Sequence, residues 1–479
     1  MPLSEEAAVS RANDLLKVQH TVRGKLDPVR RYWKGRQRLP AIIPGSAPSE
    51  VREMARISRV NVCEIVVESL KQSLILEGIR AEREDDDGDT IDAMVDPVWR
   101  VLQENRWDKR QAGVHAGAVA YGRAYAVGLR ERGRPVVRGV SPRGMTAMYG
   151  DDPDWPVDAL ERGRNGRFIL YDNEATYRLQ LGTGNRLEMR ANGIDLHGLG
   201  RTPVVRYDAE DDLDEEDEPE AEISGGRLSS PPPVEIVTGQ VAGLTNLQDQ
   251  IDVITFNLMV AQHYTAFRQR YVIGWSSADE KEAMKFAAST LWAFKDNPED
   301  IRVGEFAETD LSGYISSREH ALKYGATLSQ TPVHELIGQM INLAAEALAA
   351  AEAGRDRKVD MFKLSLGESH EQLSDLIGTA VGADMPDDVQ IVWKDTSARA
   401  FSAVVQGLGL LATQLGMPPQ ELWDRVPGFT QQDIRRMKAV AAEGDSLANL
   451  MTMLDRQAND NGNEQQTGSG LILPPGVAA

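Results

Sequence analysis

The chain has 479 residues, 41% of them apolar, enough for about three or four compact domains or one large elongated subunit. Its formal charge is −20, from 53 basic and 73 acidic residues. Such a surface repels phosphate, which disfavours sequence-reading DNA binders and binders of anionic membranes. A conduit that must avoid gripping DNA stays open. The one cysteine, Cys63, sits among Val62, Ile65 and Val66. It excludes an intrachain disulfide and a thiolate zinc site, suits a reducing cytoplasm, and is expected to pack as a small apolar residue. The first residues hold no continuous apolar stretch, and no window reaches about 18 apolar residues. Neither a signal peptide nor a membrane span is expected.

In chain order, residues 4–20 read as an amphipathic helix with Ser4 as N-cap and Glu6 in the first turn. The basic stretch Arg23 to Arg38 reads as a solvated face anchored by Tyr32 and Trp33. Residues 40–48 read as a loop, 58–77 as helix, 82–89 as an acidic turn and 91–121 as helix. Short alternating runs bounded by Gly, Pro, Asn and Asp predict strands at 124–130, 135–140, 166–171, 176–181 and 202–208. The acidic run 208–222 is expected to be mobile, and 225–233 reads as a linker.

The most informative segment is 244–268. Leu244, Leu247, Ile251, Ile254, Leu258 and Ala261 repeat at three-then-four spacing, the seam of a helix packed on another helix. Val253, Phe256, Val260, His263 and Phe267 form a second set, and Thr245, Gln248, Asp249 and Asp252 form a polar stripe. At about 1.5 Å per residue the helix spans roughly 38 Å. Two apolar flanks and one wet stripe suit a ring of helices, each copy meeting two neighbours. A buried helix in an ordinary core also satisfies the pattern.

Strands are expected at 270–275 and 301–306, around a helix at 278–289. Helix follows at 310–328, broken by Thr331 and Pro332, then at 336–381, interrupted and kinked at Gly354 and Gly367. A strand at 388–395 precedes helices at 397–415, 419–426 and 430–455, divided by Pro418, Pro419 and Gly428. The last residues are expected to be disordered.

Chemistry-bearing motifs are scarce. There is no GxxxxGK[ST] phosphate loop, no GxSxG, and no HExxH, since His334 and Glu335 are followed next by His370. The glycines of 182–193 suit a hairpin. Asp85, Asp86 and Asp87, and Asp151, Asp152 and Asp154, are hard-cation donors in principle, but consecutive acids in a turn usually face water. His115, among Ala and Gly, suits a packed or capping role better than a general base. No catalytic, cofactor or metal residue is assigned. A metal-dependent hydrolase using the acidic turns, with Asp151 and His115, is the enzymatic alternative.

Several blocks in order carry a resemblance: YWKGRQ at 32–37, RISRVNVCEIVVESLKQSLILEGI at 56–79, WRVLQENRWD at 99–108, HAGAVAYGRAYAVG at 115–128, and Ser141, Pro142, Tyr149 and Asp151. The strongest is 237–275, with its Leu-Gln-Asp helix and arginine-rich exit into a Tyr-Val strand. LWAFKD, VGEFAETDL, SQTPVHELIGQMINLAAEALAAAEA and VWKDTSARA follow. The set resembles the portal proteins of tailed double-stranded DNA phages, in particular long-tailed phages of Gram-positive hosts.

The resemblance implies a non-enzymatic α+β subunit, elongated and ring-forming, usually twelve to a ring at one capsid vertex. It implies an N-terminal arm at 1–30, a wing at 31–233 containing the acidic segment 208–222, and a first stem helix at 234–267. A clip at 268–307, a second stem helix at 308–330 and a tunnel loop at 331–342 follow. A long wing helix and strand at 343–395, a crown at 396–456 and a disordered tail at 457–479 complete it. Stem packing would fall to Leu244, Leu247, Ile251, Ile254, Leu258, Val253, Phe256 and Val260. The tunnel loop would present Thr331, Pro332, Val333, His334, Glu335 and Gln339, and Asp249 and Asp252 would face the channel. Implied partners are sister copies, the major capsid protein or scaffold, the terminase large subunit and a head–tail adaptor. Double-stranded DNA would pass in packaging and ejection without being read. No cofactor and no membrane are implied. The location is the virion, after assembly in the bacterial cytoplasm. A virion structural protein without a channel is the nearest alternative.

Overall fold

The structure, a computed structural model, describes residues 2–38, 43, 46–84, 90–94, 96–209, 223–224, 227–228, 238–265, 270–273, 302–305, 310–338, 345–383, 385–386, 389–394, 396, 401–423, 426, 434, 436–438 and 440–441. It divides into two units, Met1–Ala398 and Arg399–Ala479.

The first unit opens with α1 (Glu5–Trp33), capped by the Ser4 hydroxyl, which accepts from the Ala7 N–H. This helix runs through most of the basic stretch expected to lie outside it. It carries Pro28 inside, and the helix runs on to Trp33. Ala8, Ala12, Leu15 and Leu16 repeat every three to four residues and bury one face against a five-stranded sheet. That sheet has the order β5 (Met145–Tyr149), β6 (Pro156–Arg162), β7 (Arg167–Tyr171), β8 (Ala175–Leu181), β9 (Leu187–Leu196), all neighbours antiparallel. Strands β5, β6 and β9 lie outside the expected set. The glycines at 182–193 do form a hairpin, with Leu181 paired to Leu187 around a single 3-10 turn at Thr183–Asn185.

Helices α2 (Ser49–Ile57) and α3 (Val62–Gln72) lead into β1 (Leu76–Glu84), which pairs antiparallel with β2 (Thr90–Met94). The expected helix 91–121 is thus three elements: β2, α4 (Asp96–Glu104) and α5 (Trp107–Tyr121). Arg106, with φ 55, turns the chain between the two helices. From Val114 to Tyr121 every side chain of α5 is buried, which its Ala and Gly content permits by letting neighbours approach on all sides. Gly122 ends it in the left-handed region at φ 91, where a glycine is unstrained.

Next come β3 (Arg123–Glu131), β4 (Arg134–Val140) and β10 (Val204–Asp208), a sheet of order β10-β3-β4. Seven consecutive residues of β3 are buried, and both α5 and the long helix α9 described below pack on this strand. Short two-stranded pairings join β11 (Ile223–Ser224) to β12 (Arg227–Leu228) and β13 (Arg270–Ile273) to β14 (Arg302–Glu305).

Between those pairs lies α6 (Gln240–Thr265), followed after β14 by α7 (Ser312–Ser329), α8 (Val333–Ile337) and α9 (Ala345–Val381). The α9 helix runs unbroken for 37 residues, about 55 Å. The expected interruptions at Gly354 and Gly367 do not occur, because glycine weakens a helix by only about 1 kcal/mol and tertiary packing outweighs that. After α9, β15 (Gln390–Trp393) pairs with β1, Leu76 opposite Trp393, and ties the helix to the start of the chain. The main core runs from α3 and α5 through β3 and β10 to Phe362, Leu366, Leu373, Leu376 and Ile377 of α9.

The second unit contains α10 (Phe401–Gln414) and a short α11 (Pro419–Leu422) packed on it, with Leu422 and Ile434 buried. The expected helix at 278–289, the acidic segment from 210 to 222 and the tail 457–479 lie outside the described residues.

Candidate ring and channel elements

The α6 helix packs against α7 and also against α1, α2, α3 and α5 of the same chain. Its first seam is largely closed by these neighbours: Leu244, Ile251 and Leu258 are buried, and Leu247 and Ile254 pack half-buried on the core. The close approach of α7 follows from Gly325, where an added Cβ would stand 3.2 Å from Leu247 Cδ2. In the second set Phe256 is buried, Val253 and Val260 are half-buried, and His263 is exposed. Phe267 lies outside the described residues.

The stripe expected to be wet is divided. Gln248 and Asp252 are each 1% exposed and turn into the subunit. Asp252 Oδ2 accepts from Gln37 Nε2 at 2.7 Å, and Oδ1 accepts from Gln248 Nε2 at 2.9 Å and from the Val60 N–H at 3.3 Å. Gln248 Oε1 in turn accepts from the Val62 N–H at 2.9 Å. The two side chains therefore satisfy backbone donors at the start of α3, where a helix leaves N–H groups unpaired and favours negative charge. Burial raises the Asp252 pKa from its ordinary value against the lowering effect of these donors. The expectation that Asp252 faces a channel is corrected: its carboxylate is enclosed by its own subunit. Asp249 is exposed, and the Tyr32 hydroxyl donates to it at 2.8–2.9 Å. Burial, with Asp249 second, pushes the Tyr32 phenol up to about 12. The neighbouring aromatic, Trp33, packs edge-on against Tyr121 at 5.5 Å. Both anchors of the basic stretch thus face the core and α6.

In the segment expected as the tunnel loop, Thr331 and Pro332 are buried. Thr331 Oγ1 accepts from Ser329 Oγ at 2.9 Å, and Pro332 starts α8. Gly338, φ 71, closes it, donating its N–H to the His334 carbonyl at 2.9 Å. Val333 is exposed and Leu336 buried. Glu335 is held by Arg355 of α9 at 2.8 Å, and Arg355 also reaches Glu352 at 3.2 Å. His334 Nε2 lies 3.9 Å from Glu352. The Glu335 carboxylate is therefore tied back to α9. Gln339 lies outside the described residues. A cleft of about 690 Å³ opens beside α8, lined by Leu328, Gln330, Val333, Gly354, Arg357 and Met361.

Residues discussed for chemistry are placed apart. Asp151, Asp152 and Asp154 sit in the exposed β5–β6 turn, where Asp152 Oδ1 accepts from the Asp154 and Trp155 N–H groups. His115 is fully buried in α5, and burial lowers its pKa to about 4. Cys63 is buried and unpaired, its thiol pushed up to about 12 by burial. Among the described residues, no group of three or more His, Cys, Asp or Glu stands ready to hold a metal, and no helix is long and apolar enough to cross a membrane. The internal roles of Gln248 and Asp252 had one sequence signal, their i, i+4 spacing beside an apolar seam, but nothing local names their partners on the distant α1–α3 segment.

Among curated proteins none matches the chain. Among solved structures, the chain is similar to one in the neck of an empty gene transfer agent particle computed with C6 symmetry, at 14% identity and TM-score 0.46, covering 79% of this chain and 96% of that one. It is also similar to a chain of the virion of a native gene transfer agent particle, at 13% identity and TM-score 0.43, covering 79% and 92%. A third likeness is to the neck of the native particle computed with C12 symmetry, at 12% identity and TM-score 0.42, covering 78% and 91%. A family model described as phage portal protein, SPP1 Gp6-like, matches residues 17–446, from within α1 into the second unit. The chain belongs to this SPP1 Gp6-like family of phage portal proteins.

Proposed function

We propose that the chain assembles into a ring at one capsid vertex and forms the channel through which double-stranded DNA enters during packaging and leaves at ejection. The observation that carries this reading is the family match over residues 17–446. In it, α6 and α7 are the stem, the β13–β14 pairing belongs to the clip, the segment around α8 faces the tunnel, and α9 is the long wing helix. The second unit is the crown. Twelve copies, the long-tailed type from Gram-positive hosts, and docking of terminase, capsid or scaffold, and head–tail adaptor complete the proposal.

Two physical features agree with it. Apolar side chains stand in solvent on α7 (Tyr324, 65% exposed; Leu328, 63%), at Val333, and on α9 (Met361, 65%; Leu364, 68%). Sister subunits would cover them, because contacts that repeat head-to-tail and close by rotation need no self-complementary patch. The net charge of −20, with 73 acidic against 53 basic residues, repels phosphate on balance, so a duplex would slide. The proposal assigns no chemistry to the chain, in keeping with a family of virion structural components.

Mass photometry and negative-stain imaging of the purified chain test the proposal. The expected result is a ring with a central hole. A monomer at every concentration and salt overturns it, and a closed particle without a hole favours a virion component of another kind.

A further inference from the structure

Two buried histidines outside the assembly elements form a hydrogen-bonded pair. His115 of α5 and His370 of α9 stand 255 positions apart, with Nε2 atoms 2.9 Å from each other and both rings closed to solvent. His115 Nδ1 lies 2.9 Å from the Leu74 carbonyl oxygen, and His370 Nδ1 lies 3.1 Å from the Tyr207 hydroxyl. Trp107 and Trp393 pack against the His370 ring, with centroids at 6.2 and 5.6 Å.

The partners determine where the protons are. A carbonyl oxygen only accepts, so His115 carries its proton on Nδ1 and offers a lone pair at Nε2. His370 must then present Nε2–H, which leaves its Nδ1 to accept from the Tyr207 O–H. Three bonds run one way: Tyr207 to His370, His370 to His115, His115 to Leu74. Both rings are neutral in this arrangement.

We propose that the His115–His370 pair is an acid-released latch that fastens α9 to α5 and to β10. A first added proton fits on His370 Nδ1 once Tyr207 turns its hydroxyl hydrogen away, and it places a full charge on a ring closed to solvent. A second proton sets N–H against N–H. Nothing nearby offsets the charge. Tyr207 comes from β10, Trp107 and Gln111 from α5, and Trp393 from β15, all uncharged. The charged groups on adjoining elements are engaged elsewhere: Glu371 accepts from the Ile391 N–H, and Glu77 acts with Lys394 and Arg80. Burial lowers His115 to about 4 and His370 well below its usual range, with His115 itself the second cause for His370. Both folded values lie below the unfolded value of about 6.5, so the latch is fully closed above that pH and weakens as pH falls toward 4. Opening rises by up to about tenfold per histidine per pH unit in that window.

The test is histidine C2-hydrogen exchange on the full chain from about pH 8 to pH 3.5, with exposed His20 as internal reference, together with amide exchange of α9 and α1 peptides. Expected are a midpoint of about 4 for His115 and one well below the ordinary imidazole value for His370. The α9 peptides around His370 should lose protection on acidification before those of α1. Tyr207→Phe removes only the donor to His370 Nδ1 and should raise the His370 midpoint toward 6.5. His370→Phe should make α9 protection insensitive to pH in the same window. The proposal is overturned by midpoints at the unfolded value of about 6.5, by α9 protection unchanged down to pH 4.5, or by simultaneous loss of protection in α1 and α9.

Discussion

Replacing Asp252 by alanine, and separately Asp249 by alanine, distinguishes an acid that holds the subunit together from one that faces outward. Asp252 is 1% exposed and accepts from Gln37, Gln248 and the Val60 N–H. Hydrogen bonds to a charged group contribute about 1.5–3 kcal/mol each, and stranding their buried donors adds to the loss. Two of the three bonds are short, and the third is long at 3.3 Å. Relief from burying the carboxylate offsets part of the loss, since burial raises its pKa. A net destabilisation of about 3 kcal/mol follows, the size found when one partner of a buried charged network is removed. Asp249 meets a single phenol at an exposed site, so its loss should stay within about 0.5–1 kcal/mol. Urea unfolding followed by tryptophan fluorescence reads the difference: at a slope of about 3 kcal/mol per molar, Asp252→Ala moves the midpoint down by about 1 M. Equal midpoints for the two variants refute the argument that Asp252 is structural. The pH sign is a second check. A raised folded pKa means the folded state binds the proton more tightly, so acidification through it adds stability at this site.

Other expectations follow the same packing. Ile251→Ala should destabilise the isolated subunit by about 2–4 kcal/mol, because Ile251 is wholly buried within it. Leu328→Asp, at an exposed position, should leave subunit stability within about 0.5 kcal/mol yet prevent ring formation, as light scattering after size exclusion would report. Arg355→Met leaves Glu335 and Glu352 without their cation and should loosen α8, read as faster proteolysis near Gly338 at unchanged proteolysis of α1. Gly139→Ala places a Cβ 2.3 Å from Val114 Cγ2 and should cost about 1–3 kcal/mol. Most of that should return in the double variant with Val114→Ala, a coupling measured by a double-mutant cycle.

Segments with a strong local period were legible. The α6 seam, α7 and its end at Thr331 and Pro332, the β8–β9 hairpin and strands β3, β4, β7, β8 and β10 follow from alternation and turn residues alone. Where local signals conflict, the reading failed. Thr90–Met94 looks helical in series with Val98 and Leu102, yet it becomes β2 because β1 offers it a ladder. The basic end of α1 looks like a solvated linker, yet Tyr32 and Trp33 find Asp249 and Tyr121, more than 80 positions away.

Sequence alone determined that the chain lacks a phosphate loop, a disulfide and a long apolar span, that it is acidic, and that α6 needs cover along its length. These depend on residue type and on spacing along one element. Only the tertiary structure decided what supplies the cover. Ile251 and Leu244 are closed by their own subunit, Asp252 accepts from the backbone just before α3, and His115 meets His370 from 255 positions away. Apolar burial has no direction, so a seam cannot name its partner. A hydrogen bond does have direction, but its donor and acceptor meet only after distant segments have packed.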